Sequence, residues 1–260
     1  MTTKAPASKS RTWYIREGSI INYSGNDKHI SVPNEISGQH ITTIGPYAFS
    51  PAKPKLKEEI LQARESIESI HFAEGINGID DHAFENCTAL KTVAFPKAMK
   101  YISEKAFYEC NALQEIDLSG QSMAIGSSAF AYCSSLKKFV FPTQIKDTFT
   151  VAFKCLERCD SLTEVTLPNN MSVIPMMMFY DCKSLSAITL PATIKEIQTD
   201  AFHGCASLRR IVIPANVRKI GVWAFYGCIN LEEVVFEDSN NKPIVEAGAF
   251  NYCKKLKIYS

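Results

Sequence analysis

A cysteine recurs at nearly constant spacing through this chain, and no other feature of the sequence constrains the fold as strongly. Eight of the nine cysteines are separated by 23, 23, 26, 23, 23, 23 and 25 residues. A leucine follows each of the eight by three residues, and a phenylalanine precedes most of them by three. The eight are Cys87, Cys110, Cys133, Cys159, Cys182, Cys205, Cys228 and Cys253. A sustained period of this length predicts stacked repeats that bury their apolar faces against one another.

The segment after each leucine predicts a strand. Ile211 and Ile213 alternate with Val212, which is the period of two expected of a strand with one buried face. Proline ends most of these segments, as Pro214 does here, because it cannot donate to a sheet ladder. Parallel strands need a crossover, and the Ala-Phe-x-x-Cys segment indicates a short turn with Phe and Cys facing inward. We predict an α/β solenoid of about nine rungs, a right-handed coil with one parallel sheet on the concave side and short helical or 3₁₀ turns on the other.

The unit at residues 208–228 follows the pattern Leu-x-x-Ile-x-Ile-Pro-x-x-Val-x-x-Ile-Gly-x-x-Ala-Phe-x-x-Cys almost letter by letter. This pattern resembles the repeat of the BspA-like leucine-rich-repeat family, which is found on bacterial surfaces and in some parasitic protists. The resemblance covers about residues 13–260 and implies a leucine-rich-repeat solenoid that binds proteins or mediates adhesion at a cell surface. It also implies a hairpin-like N-terminal cap, here around Glu17 and Gly18.

Composition and periodicity predict one folded domain. The chain is 46% hydrophobic and 21% charged, which excludes wholesale disorder. We expect a disordered segment at residues 1–12 and a single domain at residues 13–260, with the cap at residues 13–28. No stretch reaches the roughly 18 apolar residues of a membrane-spanning helix, and residues 1–11 do not read as a secretory signal. The family resemblance favours a cell-surface or secreted location, and a cytoplasmic location is the alternative.

Residues 50–66 break the repeat with an insert of 12 residues. Leu56, Ile60 and Ala63 lie at helical spacing within it, which predicts a short amphipathic helix. Two interpretations stay open: the helix packs against the flank of the solenoid, or it docks a partner. A second break, the acidic loop at residues 237–241, lacks the spaced carboxylates of a calcium loop, so we predict no metal site there.

The sequence offers no catalytic chemistry. The repeated cysteines take the same inward slot, which favours buried thiols over zinc ligands or disulfides. Cys155 alone lies outside this series and is the best candidate for oxidation. The five histidines show no catalytic or ligand spacing, and no nucleophile elbow, phosphate loop or dinucleotide fingerprint is present. We therefore expect a protein that is not an enzyme and has no catalytic residues, cofactor or metal.

The exposed strand positions are the predicted binding surface. The net charge of +1 gives no basic groove for nucleic acid, so we expect a protein partner, such as a host or matrix protein. The residues chosen are Glu115, Lys138, Glu164, Arg209, Arg210 and Glu233. A competing interpretation is structural, because opposite charges on neighbouring rungs can pair along the ladder.

Two other functions remain open at this stage. A glycan-binding module would use exposed aromatic and amide side chains, with Tyr108, Tyr180 and Tyr226 following Phe on the turn side. An assembly module would stack through its C-terminal end, because the sequence ends after a strand without the polar capping unit that solenoids normally need. The second reading predicts a homodimer through that end.

Overall fold

The computed structural model describes residues 11–145, 152–238, 240 and 242–258. These residues form short strands and one helix, α1 (Glu58–Glu65). In chain order the strands are β1 (Thr12–Arg16), β2 (Ser19–Ser24), β3 (His29–Val32), β4 (Glu35–Ile36), β5 (Gln39–His40), β6 (Thr43–Ile44), β7 (Ser69–Phe72), β8 (Gly78–Ile79), β9 (Thr92–Ala94), β10 (Tyr101–Ile102), β11 (Glu115–Asp117), β12 (Ala124–Ile125), β13 (Lys138–Val140), β14 (Glu164–Thr166), β15 (Val173–Ile174), β16 (Glu196–Ile197), β17 (Arg210–Ile213), β18 (Lys219–Ile220), β19 (Glu233–Phe236), β20 (Ile244–Val245) and β21 (Lys257–Ile258).

The strands after the repeated leucines stack in parallel, and we call this stack the front column. It contains β3, β7, β9, β11, β13, β14, β17, β19 and β21. The predicted alternation is present, because Ile211 and Ile213 are buried while Val212 between them is partly exposed. The chain therefore coils as a solenoid of about 10 turns with its apolar side chains inside.

A second column of parallel strands was not predicted. Apart from β2, it consists of two-residue strands that end at an apolar residue before each turn, such as Lys219–Ile220, with Ile220 buried. In it β2, β6, β8, β10 and β12 form one sheet, and β15, β16, β18 and β20 form another. The expectation of one parallel sheet was therefore too simple.

Both columns are interrupted, but at different rungs. The front column consists of three sheets, with breaks between β9 and β11 and between β14 and β17. At the second break, residues 187–190 form no strand and no backbone hydrogen bond with the described residues on either side. The second column is continuous at both of these places, and its own break lies between β12 and β15.

The turns are not the helical or 3₁₀ segments that the sequence predicted. Each repeat places two residues with positive φ in the turn, one before Ala and one before Cys, for example His82 (φ 58°) and Asn86 (φ 61°). A right-handed helix cannot continue through such residues. Alternate amides instead bond the next rung, as Phe84 N–H donates to the carbonyl of Ala106 at 2.8 Å. The fold is a β-solenoid, and its right hand remains a prediction that rests on the usual hand of parallel crossovers.

Two stacks fill the core on the turn side. The first is a row of buried phenylalanine rings with neighbouring centroids 4.9–5.2 Å apart and ring planes within 15° of parallel. Leu156 takes the phenylalanine position between Phe130 and Phe179, so the ring stack is interrupted there. The second is a row of thiols, each of which donates to a backbone carbonyl of the preceding rung, as Cys205 does to Phe179 at 3.2 Å. This confirms that Phe and Cys face inward.

The N-terminal end begins with an antiparallel hairpin of β1 and β2, whose turn residues Glu17 and Gly18 both have positive φ. β2 then pairs in parallel with β6, so the hairpin covers the first rung of the second column. Of the segment at residues 1–12, for which disorder is a prediction, the structure describes Arg11, which pairs with Asp27 at 3.1 Å, and Thr12, which opens β1. Residues 1–10 of that segment lie outside the described residues.

Candidate binding surface on the strand face

The outward side chains of the front column form one surface, which we call the strand face. Its geometry follows from the alternation: on β11 the buried Ile116 lies between exposed Glu115 and Asp117, and on β13 the buried Phe139 follows partly exposed Lys138. Neighbouring rungs are in register, so that side chains at equivalent positions form rows along the solenoid. Five of the six predicted site residues lie on this surface, and Arg209 directly precedes β17 at its edge.

The structure brings three of the six predicted residues into one row and two into another. Lys138 lies between Glu115 and Glu164, and its Nζ is 4.0 Å from Oε2 of Glu164. Arg210 lies beside Glu233, and its Nε donates to Oε2 of Glu233 at 2.6 Å. Exposed pairs of this kind contribute about 0–1 kcal/mol each. Four of the six residues therefore have the structural partner that the competing interpretation expected.

Arg209 and Glu115 differ from those four residues. Both are exposed, and neither forms an ion pair with any residue that the structure describes. They do not form one site, because the break at residues 187–190 separates the sheet of Glu115 from that of Arg210. The strand face thus presents separate charged groups rather than one continuous patch.

A further charged cluster near the N-terminal end was not chosen from the sequence. Glu68 accepts from Lys28 at 2.9 Å and from Lys91 at 2.7 Å, across three neighbouring rungs. Hydrogen bonds from the two ammonium groups, Lys91 first, lower the pKa of Glu68 to about 2. In the sequence, this cluster was indicated by the residue after the repeated apolar residue, whose charge changes sign from Glu68 to Lys91. Lys28 was not recognised as its third member because its rung lies in the cap region.

The turn face carries its own row of aromatic side chains. His203 stacks on Tyr180 with ring centroids 4.5 Å apart and on Tyr226 at 4.7 Å, and Tyr252 follows Tyr226 at 4.9 Å. The rings of Tyr180, His203 and Tyr226 cover one another's faces, so their edges rather than their faces point outward, whereas Tyr252 is tilted by 55° against Tyr226. A sugar ring binds an aromatic side chain through its face, so the row offers fewer platforms than its sequence indicated. Trp223, which is 48% exposed, and Tyr252, which is 62% exposed, are open aromatic surfaces beside this row.

The cysteines are structural. Burial raises the pKa of Cys87 and of Cys133 to about 12, so neither is a thiolate at neutral pH. Cys155, the one cysteine outside the repeated series, takes the alanine position of its turn, is fully buried, and has a pKa raised by that burial. Burial therefore argues against Cys155 as a site of oxidation. Among the described residues, no cluster of three or more His, Cys, Asp or Glu side chains has the arrangement of a metal site.

The inserted helix is fixed to the N-terminal end by a buried arginine. Arg64 of α1 is 1% exposed and donates to the carbonyls of Tyr23, Tyr47 and Ser50 at 2.7–3.2 Å. It also donates to Oδ1 of Asn22 at 2.6 Å. Burial lowers the pKa of Arg64 to about 10, which leaves the guanidinium charged at neutral pH. These contacts favour the interpretation that the insert packs on the solenoid.

Comparison with known proteins agrees with this geometry. The model of the BspA type leucine-rich repeat region matches residues 55–158 and 148–257, with 6 copies. A leucine-rich repeat protein from Bacteroides ovatus is 21% identical over 99% of this chain and 70% of its own, with a TM-score of 0.65. The leucine-rich repeat protein of T. pallidum is 24% identical over 89% of this chain and 91% of its own, with a TM-score of 0.53. These two share the fold.

A leucine-rich cell surface protein from Faecalibacterium prausnitzii is 19% identical over 98% of this chain and 94% of its own, with a TM-score of 0.42. No curated protein matches the chain in sequence. None of the helices in the described residues is long and apolar enough to span a bilayer.

Proposed function

Because the chain belongs to the BspA-type leucine-rich-repeat family, we propose that it is a non-catalytic scaffold that binds a partner protein or mediates adhesion through its strand face. Families of this kind are generally protein-binding or surface proteins. A cell-surface or secreted location is part of the proposal, and it rests on the family. The partner would be a host or matrix protein.

The observation that carries the proposal is the support beneath the strand face. Each outward side chain stands on a strand whose inward neighbours, such as Ile116 and Ile211, are buried in one continuous core. A surface held in this way loses little conformational entropy on binding, which favours affinity without a deep cavity. The exposed Arg209 and Glu115 lack ion pairs among the described residues, so a partner can pair with them without breaking an existing contact.

The test is capture of surface and matrix proteins by the purified chain and by a double charge reversal, Arg209→Glu with Arg210→Glu. We expect loss of at least about tenfold in affinity for a protein captured by the wild type, because reversal replaces attraction by repulsion at the interface. Lys100→Glu with Lys195→Glu makes the same change of charge at exposed positions away from the front column and is the matched control. Equal binding by both double variants would place the site elsewhere.

The glycan alternative has one feature in its favour, the exposed Trp223 at the edge of the aromatic row. It is weakened by the face-to-face stacking of His203 between Tyr180 and Tyr226. A glycan array with the wild type and Trp223→Ala distinguishes the two functions: a hit that the variant loses supports glycan binding, and an array without hits supports the protein scaffold.

The assembly alternative rests on apolar side chains of the last rungs. Ile244 is 71% exposed and Val245 is 46% exposed, on a strand paired on one side only in the described sheet. Light scattering over a range of concentrations tests it. A dimer that Ile244→Asp abolishes would support stacking of two copies through this end, and a constant monomer mass would exclude it.

A further inference from the structure

Cys253 differs from the other eight cysteines in access and in acidity. The other eight are buried, and each has a pKa raised above its ordinary value. Cys253 is partly exposed, and a hydrogen bond from the thiol of Cys228 lowers the pKa of Cys253 below its ordinary value. Because the thiolate is the reactive form of cysteine, Cys253 is the cysteine of this chain that combines access with reactivity.

The turn that carries Cys253 is more loosely covered than the turn before it. Phe250, Cys253 and Leu256 are only partly buried. The equivalent residues of the preceding turn, Phe225, Cys228 and Leu231, are all 0% exposed. A small oxidant can therefore reach the sulfur of Cys253, and the side chain has room to rotate toward its neighbour.

The backbone holds Cys228 and Cys253 at the spacing that a disulfide needs. The rings of Phe225 and Phe250, three residues before each cysteine, stack with their centroids 5.2 Å apart. A separation of about 5 Å between equivalent residues lies inside the range of about 4.4–6.8 Å between the Cα atoms of a disulfide. Both cysteines also bond the same carbonyl of Phe225, Cys228 through its N–H at 3.2 Å and Cys253 through its Sγ at 3.2 Å. The sulfur of Cys253 thus already points toward the rung of Cys228.

The interior rungs share this spacing but not the reactivity. The carbonyl of Phe179, for example, accepts from the N–H of Cys182 at 3.1 Å and from the Sγ of Cys205 at 3.2 Å. Both thiols are fully buried, and burial raises the pKa of each. Neither can meet an oxidant in the folded protein, so the pair of Cys228 and Cys253 is the place where the row of thiols can react.

We propose that Cys253 is an oxidative modification site, at which a hydroperoxide joins it to Cys228 in a disulfide. The thiolate of Cys253 attacks one oxygen of the hydroperoxide, the O–O bond breaks, and the departing oxygen takes up a proton to leave as an alcohol or water. The sulfur of Cys228 then attacks the sulfenic acid of Cys253. The S–S bond forms as the S–O bond breaks, and the hydroxide leaves with the Cys228 proton as water. Two thiols are oxidised and one hydroperoxide is reduced.

The disulfide would fasten β21 to the rest of the front column. Lys257 of β21 follows Cys253 by four residues, and its N–H donates to the carbonyl of Glu232 at 3.0 Å. A cross-link restricts the unfolded form of the turn that precedes this bond. We expect the Lys257 amide to exchange about 10- to 100-fold more slowly in the oxidised protein than in the reduced protein.

The test treats the folded full chain with excess hydrogen peroxide, alkylates the remaining thiols after denaturation, and maps the peptides by mass spectrometry. We expect seven of the nine thiols to remain and one cross-linked peptide pair to contain Cys228 and Cys253. Cys253→Ala should leave the other eight thiols unreacted, and Cys228→Ala should stop the reaction at a sulfenic acid that dimedone traps. Cys205→Ala, from the same buried position two rungs earlier, is the matched control and should leave the disulfide unchanged.

Three results in the wild type would overturn the proposal: retention of all nine thiols, a cross-link between two chains, or oxidation of Cys253 without a bond to Cys228. An unchanged exchange rate of Lys257 in the oxidised protein would remove its effect on β21. Circular dichroism checks the fold of each variant, and the peptide map of the wild type decides the question even if Cys228→Ala does not fold. The readout needs no partner protein, so this site and the scaffold function can fail independently.

Discussion

Replacement of Arg64 tests whether a single buried cation fixes the inserted helix to the N-terminal end. Arg64→Met keeps the length and the apolar stem of the side chain but removes the four hydrogen bonds of the guanidinium. Asn22 Oδ1 keeps a bond from Lys53 Nζ at 3.0 Å, and the carbonyl of Ser50 keeps one from the amide of Lys53 at 3.3 Å. Among the described residues, no backbone amide outside the strand ladders donates to the carbonyls of Tyr23 and Tyr47.

The magnitude follows from these two carbonyls. A buried acceptor left without a donor costs about 1–3 kcal/mol, so the pair costs roughly 2–6 kcal/mol. Removal of the guanidinium also relieves the cost of desolvating a buried cation, which offsets part of this loss. We expect a net destabilisation of about 3 kcal/mol, which corresponds to a fall of roughly 6–12 °C in Tm for a chain of this size.

The assay combines thermal unfolding with hydrogen exchange of the helix amides of Ile60 and Leu61, which bond the carbonyl of Lys57. Arg64→Met should lower Tm and remove protection from α1 first, and Arg64→Lys should be intermediate because it keeps the charge with fewer donors. Arg158→Met is the control, since Arg158 is exposed and pairs with Asp181 at 3.3 Å, and it should cost about 1 kcal/mol or less. A Tm for Arg64→Met within the range of the control would refute the reasoning.

Three more predictions follow from the core and the strand face. In the native protein a thiol reagent should react with at most Cys253, which is partly exposed, whereas all nine cysteines should react after denaturation; rapid native labelling of Cys155 would contradict its burial. Cys155→Ala with Leu156→Phe restores the repeat and should raise stability by about 0.5–1.5 kcal/mol through ring stacking with Phe130 and Phe179, and an unchanged or lower unfolding midpoint would contradict this. The Glu68 carboxyl should titrate near pH 2 by NMR; because its folded pKa is lowered from 4.5, its stabilising contribution is complete above pH 4.5 and is lost as the pH falls toward 2. Lys28→Met with Lys91→Met should return that titration toward its ordinary value, and a midpoint unaffected by the double variant would rule out the two ammonium groups as the cause.

The repeat predicted the positions of the core because burial follows the period of the sequence. Cys, Leu and Phe recur in phase, and Phe107, Cys110 and Leu113 are all buried as that phase requires. The pairing of charges along the strand face was also predictable, since a parallel register brings equivalent positions such as Lys138 and Glu164 together.

The turns could not be predicted as the structure has them, because their cause lies between rungs. Residues as different as Asn86, Glu109 and Tyr132 take positive φ at the position before the repeated cysteine, and no side-chain type announces that conformation. The conformation is stabilised by amides that bond the next rung, which is a tertiary interaction. A two-residue strand such as Tyr101–Ile102 is likewise too short to show a period.

The candidate site was predictable as a surface but not as particular residues. Arg209 and Arg210 are neighbours of the same type in the sequence, and the register places Glu232 and Glu233 on the next rung beside them, yet among the described residues only Arg210 forms an ion pair. The difference depends on side-chain conformation, which the sequence does not show. Neither the break nor the burial of Arg64 among carbonyl groups leaves a trace in composition or spacing.

The breaks in the two columns lie at different rungs, so that each column spans the breaks of the other. Where the front column is interrupted, after β9 and after β14, strands of the second column continue past the gap. Where the second column is interrupted, between β12 and β15, the front strands β11, β13 and β14 continue in the same way. Separation of two rungs at a break in one column would therefore have to disrupt paired strands in the other column. We expect the stacked turns to melt together in one transition rather than split at residues 187–190.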